Sequence, residues 1–457
     1  MNISSIQREA LTTDVFKDRL NFLKHSQFWD KKEIDLYQTE RIKELVEHCY
    51  NHVPFYREFM LKNDLKPSDF NTKNDVRKFP LIDKKIIQNN YRAFIPTNVE
   101  MKTLDTRTTG GSTGSPLTVY ADLNFYSKDK ANTEYYMSVF GQSIFSGKSI
   151  RLYGDKIEGE LIEKNIFWRL ENNRKLVMSC YHVNTDSIYT YLEKINDFQP
   201  SYIHTRPSSI FLLSKLADEQ KLIINKGINY IFCDGEYLTK GQREMIERVF
   251  HCRVINIFGH TEGCLVGHPC MYSNNLHFMP QVGMLELIDA SGNEVEEVGK
   301  LGEMVATGFN NFNFPLIRYR TYDMAVKGSN ATCQCLRNYP LIQEVEGRVQ
   351  DYVLNAYGNV IPIAPAIFNY NDMDWIGVEE FRVIQKVKGE ILLLVKFESS
   401  NSNKSSTLID IQKGVALILG DGMTVHVKEV HDLSKTKIGK YRYLEQHLDL
   451  SNYLLLK

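Results

Sequence analysis

The sequence has almost no net charge: 55 Lys and Arg against 56 Asp and Glu leave a formal −1 over 457 residues. So balanced a chain offers no bulk field for nucleic acid or an anionic membrane, and neither is expected as a partner. Long apolar runs are missing too. No stretch approaches the roughly 18 residues of a membrane span. The start, Met1-Asn2-Ile3-Ser4-Ser5-Ile6, lacks the apolar segment of a signal peptide. The expectation is a soluble cytoplasmic protein with no membrane insertion. Cysteine is sparse, with eight residues scattered along the chain, whereas disulfide scaffolds are short and cysteine-dense. Cys49, Cys180, Cys233 and Cys252 sit among apolar neighbours and read as core. Internal repeats are absent, and only the polar loop over 399–406 resembles low complexity. No Ser-His-Asp or Cys-His spacing points to a protein nucleophile.

What is present is a loop of three glycines and five hydroxyls, Thr108-Thr109-Gly110-Gly111-Ser112-Thr113-Gly114-Ser115-Pro116. Glycines allow a tight turn that aims several N–H groups at one anion. The hydroxyls add donors suited to phosphate oxygens. It is not a Walker A loop, because Gly114 is followed by Ser115 and Pro116 instead of lysine. The alternative for such a stretch, taken alone, is a flexible surface linker.

The length implies two or more domains. The first hundred residues read as helical, with Leu36, Ile42, Leu45, Val46 and Cys49 at helical spacing and an interruption at Pro54. Pro80 and Pro96 mark further turns. From about 100 to 260 apolar strands alternate with helices, for example 230–233, the helix 240–250 and 253–258. That alternation predicts an α/β sheet with largely parallel strands. Ligands of such sheets sit at the carboxyl ends of strands, where Asp234-Gly235-Glu236 and Gly259-His260-Thr261-Glu262 fall. From 280 to 345 the pattern is β, with a hairpin signal at Ala290-Ser291-Gly292-Asn293. A smaller unit follows, with strands 391–397 and 424–430 and a helix near 408–419. The boundary falls at 345–350, giving domains 1–346 and 347–457.

The motifs occur in a telling order. The glycine loop is followed by Asp234-Gly235-Glu236-Tyr237, Asn256-Ile257-Phe258-Gly259-His260-Thr261-Glu262 and Pro315-Leu316-Ile317-Arg318-Tyr319-Arg320-Thr321-Tyr322-Asp323. Then come Gly347-Arg348-Val349-Gln350-Asp351 and Lys437-Ile438-Gly439-Lys440. This order resembles the adenylate-forming superfamily, in particular its phenylacetate-CoA ligase branch and the CapK-type members linked to capsular polysaccharide biosynthesis. The resemblance covers nearly the whole chain, including the early His52-Val53-Pro54-Phe55-Tyr56-Arg57. It implies a large N-terminal α/β domain with mixed sheets and a β-rich part, plus a small mobile α+β C-terminal domain. It also implies attack of a small carboxylate on the α-phosphate of ATP, giving an acyl-adenylate and pyrophosphate. The acyl group then passes to a thiol such as coenzyme A. Two alternatives stand beside this: transfer to an amine such as an amino sugar, and a catalytically silent nucleotide-binding regulator.

The resemblance also assigns roles. Thr109, Gly110, Gly111, Ser112, Thr113 and Gly114 would cradle the β- and γ-phosphates. Glu262 would hold Mg²⁺, a hard cation suited to carboxylate oxygen, and Thr261 would donate to the α-phosphate. Phe258 would stack on adenine, with Asn256, Gly259 and the Gly235-Glu236 backbone around it. Asp323 would accept the ribose hydroxyls, Arg348 would reach the nucleotide, and Lys440 would neutralise charge at the α-phosphate. The acyl pocket would involve Tyr153, His204 to Ser208, Cys233 and His260 to Leu265, mostly aromatic or small and without an obvious cation to pair a second carboxylate. His260 either orients substrate or is simply packed. Arg318 and Arg320 read as structural ion-pair partners, Arg318 above all. Three positions depart from the superfamily pattern: Tyr322 replaces a glycine, Ser115 a lysine, and Gln350 stands at the hinge. Cys270, His277, Cys333 and Cys335 have the spacing for a structural Cys₃His zinc site, with His268 as a rival ligand and Leu336 in place of a glycine. Reduced, metal-free cysteines are the alternative. Neither the carboxylate's identity nor the oligomeric state is legible.

Overall fold

The computed structural model describes residues 5–108, 117–155, 157–225, 227–348, 352–363, 378–397, 404–433, 444–448 and 450. The N-terminal hundred residues are largely helical, as their spacing predicts. The helix Lys31–His52 opens on Asp30, whose carboxylate accepts from the Glu33 N–H while Glu33 reaches back to the Asp30 N–H. This reciprocal capping satisfies two donors that a helix start leaves open. Ile34, Gln38, Ile42, Leu45, Val46 and Cys49 are buried. Leu36, counted with that stripe in the sequence, is instead 62 % exposed. Two residues beyond Ile34, it is turned about 200° around the axis from the packed face. Pro54 opens the next helix, Pro54–Lys62, at its first position, where a missing N–H removes no helical bond.

Strands β1 (Asp105–Thr108) and β2 (Thr118–Ala121) pair antiparallel, with Thr108 opposite Thr118. The two ends of the glycine loop are therefore adjacent, while 109–116 lie outside the described residues.

A twelve-stranded sheet follows. Its strands are β3 (Ser149–Tyr153), β4 (Trp168–Asn172), β5 (Lys175–Ser179), β6 (Tyr202–Thr205), β7 (Tyr230–Asp234) and β8 (Arg253–Gly259), then β9 (Val266–His268), β10 (Leu276–Phe278), β11 (Gly283–Ile288), β12 (Leu301–Gly308), β13 (Tyr319–Lys327) and β14 (Leu341–Arg348). The order is β11-β12-β13-β14-β10-β9-β8-β7-β6-β3-β5-β4. From β5 through β3, β6 and β7 to β8 every pairing is parallel. From β8 through β9 and onward to β11 every pairing is antiparallel. β8 is thus where one regime gives way to the other.

Helices Ile188–Phe198, Pro207–Glu219 and Lys240–Phe250 bury their apolar stripes on one face of the parallel half. The helix Leu123–Ser138 covers the other through Tyr136 and Met137, which pack with Phe232, Ile255 and Ile257. The turn at 290–293 forms as predicted, the Asp289 carboxylate accepting from the N–H groups of Ser291 and Asn293. Only Ile288 and Glu294 bridge beside it, so β12 begins later, at Leu301.

A second unit holds the hairpin β15 (Tyr352–Leu354) and β16 (Val360–Pro362). It also holds β17 (Val378–Val387), β18 (Glu390–Phe397), the helix Lys404–Leu419, β19 (Thr424–Glu429) and β20 (Leu444–Gln446). The last four strands form a sheet ordered β19-β18-β17-β20 over a core including Val383, Leu393, Ile411 and Val415. The fold is therefore mixed α/β, a large multistranded sheet plus a smaller one. Among the described residues no helix is long and apolar enough to cross a membrane.

Candidate active site

The carboxyl end of β8 carries Asn256 and Phe258, and the chain then turns tightly, with the Gly263 N–H donating to the His260 carbonyl at 3.0 Å. Gly263 sits at φ +72°, with Phe125 where a Cβ would lie; a side chain there would be both strained and blocked. The turn delivers Glu262 to a buried position. Tyr319 donates its phenol to Glu262 Oε1 at 2.7 Å, and His260 Nδ1 lies 3.0 Å from Oε2. Burial opposes ionisation of this carboxyl, but the His260 and Tyr319 contacts outweigh it and hold the pKa down to about 2. Each oxygen keeps a lone pair beyond these bonds.

Tyr319 begins β13, four steps from β8 in the sheet order. In a flat sheet that separation is roughly 19 Å. The direct contact means that the antiparallel half curls back to bring β13 over the end of β8. Asp323 lies inside β13, opposite Arg348 on β14. The stretch before β13 is an irregular approach, held where the Ile317 N–H donates to the Tyr56 hydroxyl at 2.9 Å. That bond ties the early His-Val-Pro-Phe-Tyr-Arg segment to the later motif. Arg318, at φ +51°, makes a two-point pair with buried Glu286 at 3.1 Å and donates to the Phe79 carbonyl at 3.0 Å. Arg320 pairs likewise with Glu303. Both are structural, as the sequence suggests.

Tyr322 has φ +60°, the left-handed region where an L side chain is strained and glycine is at ease. Its phenol donates to Asp83 Oδ2 at 2.8 Å, and Arg320 lies over its ring at 5.0 Å. The substitution of the family's glycine thus keeps the glycine conformation and offsets the strain with side-chain contacts.

Phe258 is half-buried, its ring 5.3 Å from that of Phe278. Thr261 is half-buried beside Glu262. Gly235 has φ +74° with open space around it. The Glu236 carboxylate accepts from the Ser208 N–H at 3.0 Å, capping the helix Pro207–Glu219. Asn256 Oδ1, Glu236 Oε1 and His260 Nε2 are buried with no hydrogen-bond partner among the described residues. Buried polar atoms are normally satisfied, so three such atoms on two neighbouring strand ends fit a polar ligand. Thr109 to Gly114, Ser115, Gln350 and Lys440 lie outside the described residues, and for Arg348 only the backbone is described.

Two cations are present: Arg151 lies 4.2 Å and Arg206 5.5 Å from the centre of the Tyr153 ring. Strand alternation hid Arg151, which sits two residues before Tyr153 and so shares its face.

The four expected metal ligands do meet. One ligand atom from each of Cys270, His277, Cys333 and Cys335 falls within 4.8 Å of the others. His277 Nε2 is 3.3 Å from Cys335 Sγ, and Nδ1 is 3.2 Å from the Asn275 carbonyl. An Nδ1–H donated to a carbonyl leaves Nε2 as the ligating nitrogen, the usual orientation of a metal-binding histidine. Three thiols and an imidazole at this spacing fit a tetrahedral zinc ion. His268, the rival, is stacked beside His277 with Nδ1 turned to the Pro269 carbonyl. Leu336, like Tyr322, stands at a family glycine and has a positive φ, 66°.

No family model matches the chain. In sequence it is similar to the protein CapK of Staphylococcus aureus, 25% identical over 414 residues that span 89% of this chain and 88% of CapK. It is also similar to the phenylacetate-coenzyme A ligase of Pseudomonas putida, 25% identical over 342 residues covering 71% and 73% of the two chains. In fold it is similar to a 2-hydroxyisobutyryl-CoA ligase solved in the postadenylation state with 2-HIB-AMP, with a TM-score of 0.71 and 17% identity. That likeness covers 93% of this chain and 91% of the other. By motif order, architecture and these likenesses, the chain is similar to the adenylate-forming, phenylacetate-CoA ligase-like proteins.

Proposed function

We propose that the protein is an AMP-forming ligase that activates a small carboxylate with ATP and passes the acyl group to a thiol such as coenzyme A. The observation that carries this reading is Glu262, a buried and ionised carboxylate aimed by Tyr319 and His260 at the join of the two sheet halves. In the first half-reaction a carboxylate oxygen bonds to the α-phosphorus and the bond to pyrophosphate breaks. Anion meets anion, so rate comes from alignment and charge neutralisation.

Each residue has a part in that. Thr109 to Gly114 hold the β- and γ-phosphates, and Thr261 donates to the α-phosphate. Phe258 offers a ring face to adenine beside Asn256, Gly259 and the Gly235-Glu236 backbone. Asp323 takes the ribose hydroxyls, with Arg348 across the strand pair. Lys440, from the unit 347–457, neutralises charge at the α-phosphate on this reading. Glu262 is the residue that would hold Mg²⁺, which when bound supplies positive charge against the phosphates. The Cys270, His277, Cys333 and Cys335 cluster would hold a structural Zn²⁺. An activated acyl group of this kind suits modification of a surface-polysaccharide precursor, and the sequence expectation of a cytoplasmic enzyme agrees with that.

Incubating the protein with ATP, Mg²⁺ and a panel of small acids tests the reading. The expected products are AMP and pyrophosphate, and with coenzyme A an acyl-CoA detectable by mass. An amide formed with an amino sugar but no thioester would move the acceptor to the amine class. No acid-dependent AMP from folded protein would refute the ligase reading.

A further inference from the structure

We propose, resting on that reading, that the acid activated carries a hydroxyl or ammonium group within a few carbons of its carboxyl, and that Asp234 recognises it. Arg151 on β3 pairs with His204 on β6, and His204 pairs with Phe232 on β7, two residues before Asp234. With the two-residue period of strands, Arg151, Tyr153, His204 and Asp234 share one face. That face is apolar further back, where Tyr202, Phe232 and Ile255 pack with Phe140. Toward the carboxyl edge it becomes polar.

There the Tyr153 phenol donates to Asp234 Oδ1 at 2.8 Å and His204 Nε2 lies 2.9 Å from Oδ2. Arg151 pairs with Asp155 at 3.1 Å. Asp234 is held rigidly, yet its side chain is 35% exposed and that of His204 31%. The carboxylate therefore keeps accessible lone pairs in a fixed direction. A site for an aryl or alkyl chain would continue the apolar surface, since seating such a chain against a charged carboxylate strips water from it without return. Asp234 lies opposite Ile257 on β8 and shares its face of the sheet, the one turned away from Phe258; on the proposed reading the acyl chain lies along that face, on the other side of the strand from adenine. A donor on that chain supplies the missing bond, and a site built around such a bond rejects the analogue that lacks it.

The test uses matched acids, each hydroxy or amino acid beside its unsubstituted parent, in acid-dependent ATP–pyrophosphate exchange. The wild type is expected to use at least one substituted acid tenfold or more faster than its parent. Asp234→Asn, which keeps the shape, and Tyr153→Phe, which frees the carboxylate, are expected to reduce that ratio toward one. Amino and hydroxy acids run as separate arms and identify which donor is preferred. Exchange with parents equal to or faster than with substituted acids overturns the inference and leaves the ligase reading intact, as does a ratio unchanged in both variants. Absence of exchange with every acid overturns both.

Discussion

Glu262 is positioned by residues far from it in sequence. Its ordinary pKa of 4.5 falls to about 2 in the fold because, although burial opposes its charge, contacts from His260 and Tyr319 outweigh that cost. A carboxyl whose folded pKa is depressed stabilises the fold fully above its unfolded value and loses that contribution as pH falls. The window is from about pH 4.5 down to about 2. In metal-free buffer, the urea midpoint of the wild type should fall across this window by more than that of Glu262→Gln. The same variant should exchange ATP and pyrophosphate about 10²-fold more slowly, the usual scale for losing a group that stabilises transition-state charge. The motif made Glu262 legible, whereas Tyr319 was a silent member of a quoted run. Nothing local marks a tyrosine as the partner of a carboxylate 57 positions earlier. Tyr322 and Leu336 were visible as departures from a glycine pattern, and both retain positive φ. Leu336 is 66% exposed and gains little from packing. Relief of the left-handed strain, about 1–2 kcal/mol, exceeds the entropy that glycine adds to the unfolded chain, about 0.4–1 kcal/mol. Leu336→Gly should thus raise the melting temperature slightly and Leu336→Val should lower it.

At the scale of elements, β8 is the organising strand. Parallel to β7 and antiparallel to β9, it ends where the ligand motifs begin. The loop after Glu262 packs against the sheet through Cys264, whose carbonyl occupies the space a Cβ on Gly283 would need, together with that of Thr307. Gly283→Ala should therefore cost about 1–3 kcal/mol by overpacking. Because the displaced backbone adjoins Glu262, exchange activity should fall with it; a melting curve and an exchange assay read the two effects. The alternation of strand and helix from 230 to 258 was legible because each element had a clean period. The curl that sets β13 over β8 was not, since it arises from contacts between strands that the sequence separates. The metal ligands were legible from spacing, and only the packing of β10 beside β14 shows that they converge. Metal analysis should find close to one zinc per chain, and Cys333→Ser with Cys335→Ser should remove it and lower the melting temperature. Zinc-free wild type of unchanged stability would leave the cluster as reduced thiols.

The whole molecule comprises a large sheet bearing the nucleotide motifs and a small α+β unit that touches it. Met324 of β13 packs with Tyr352, Leu354 and Leu450, and Lys215 donates to the Val378 carbonyl at 2.9 Å. On the proposed reading this unit changes orientation between two half-reactions, with Gln350 at the hinge. Fold class was readable from the order of motifs, because order survives where individual residues drift. Substrate chemistry was not, because Arg151, Tyr153, His204 and Asp234 converge only through strand register. The account depends on a C-terminal lysine serving chemistry on the large domain. Carboxylate-dependent ATP–pyrophosphate exchange in wild type and Lys440→Ala measures this directly. The account predicts robust exchange in the wild type and a loss of about 10²–10³ in the variant; equal exchange in both proteins would contradict it.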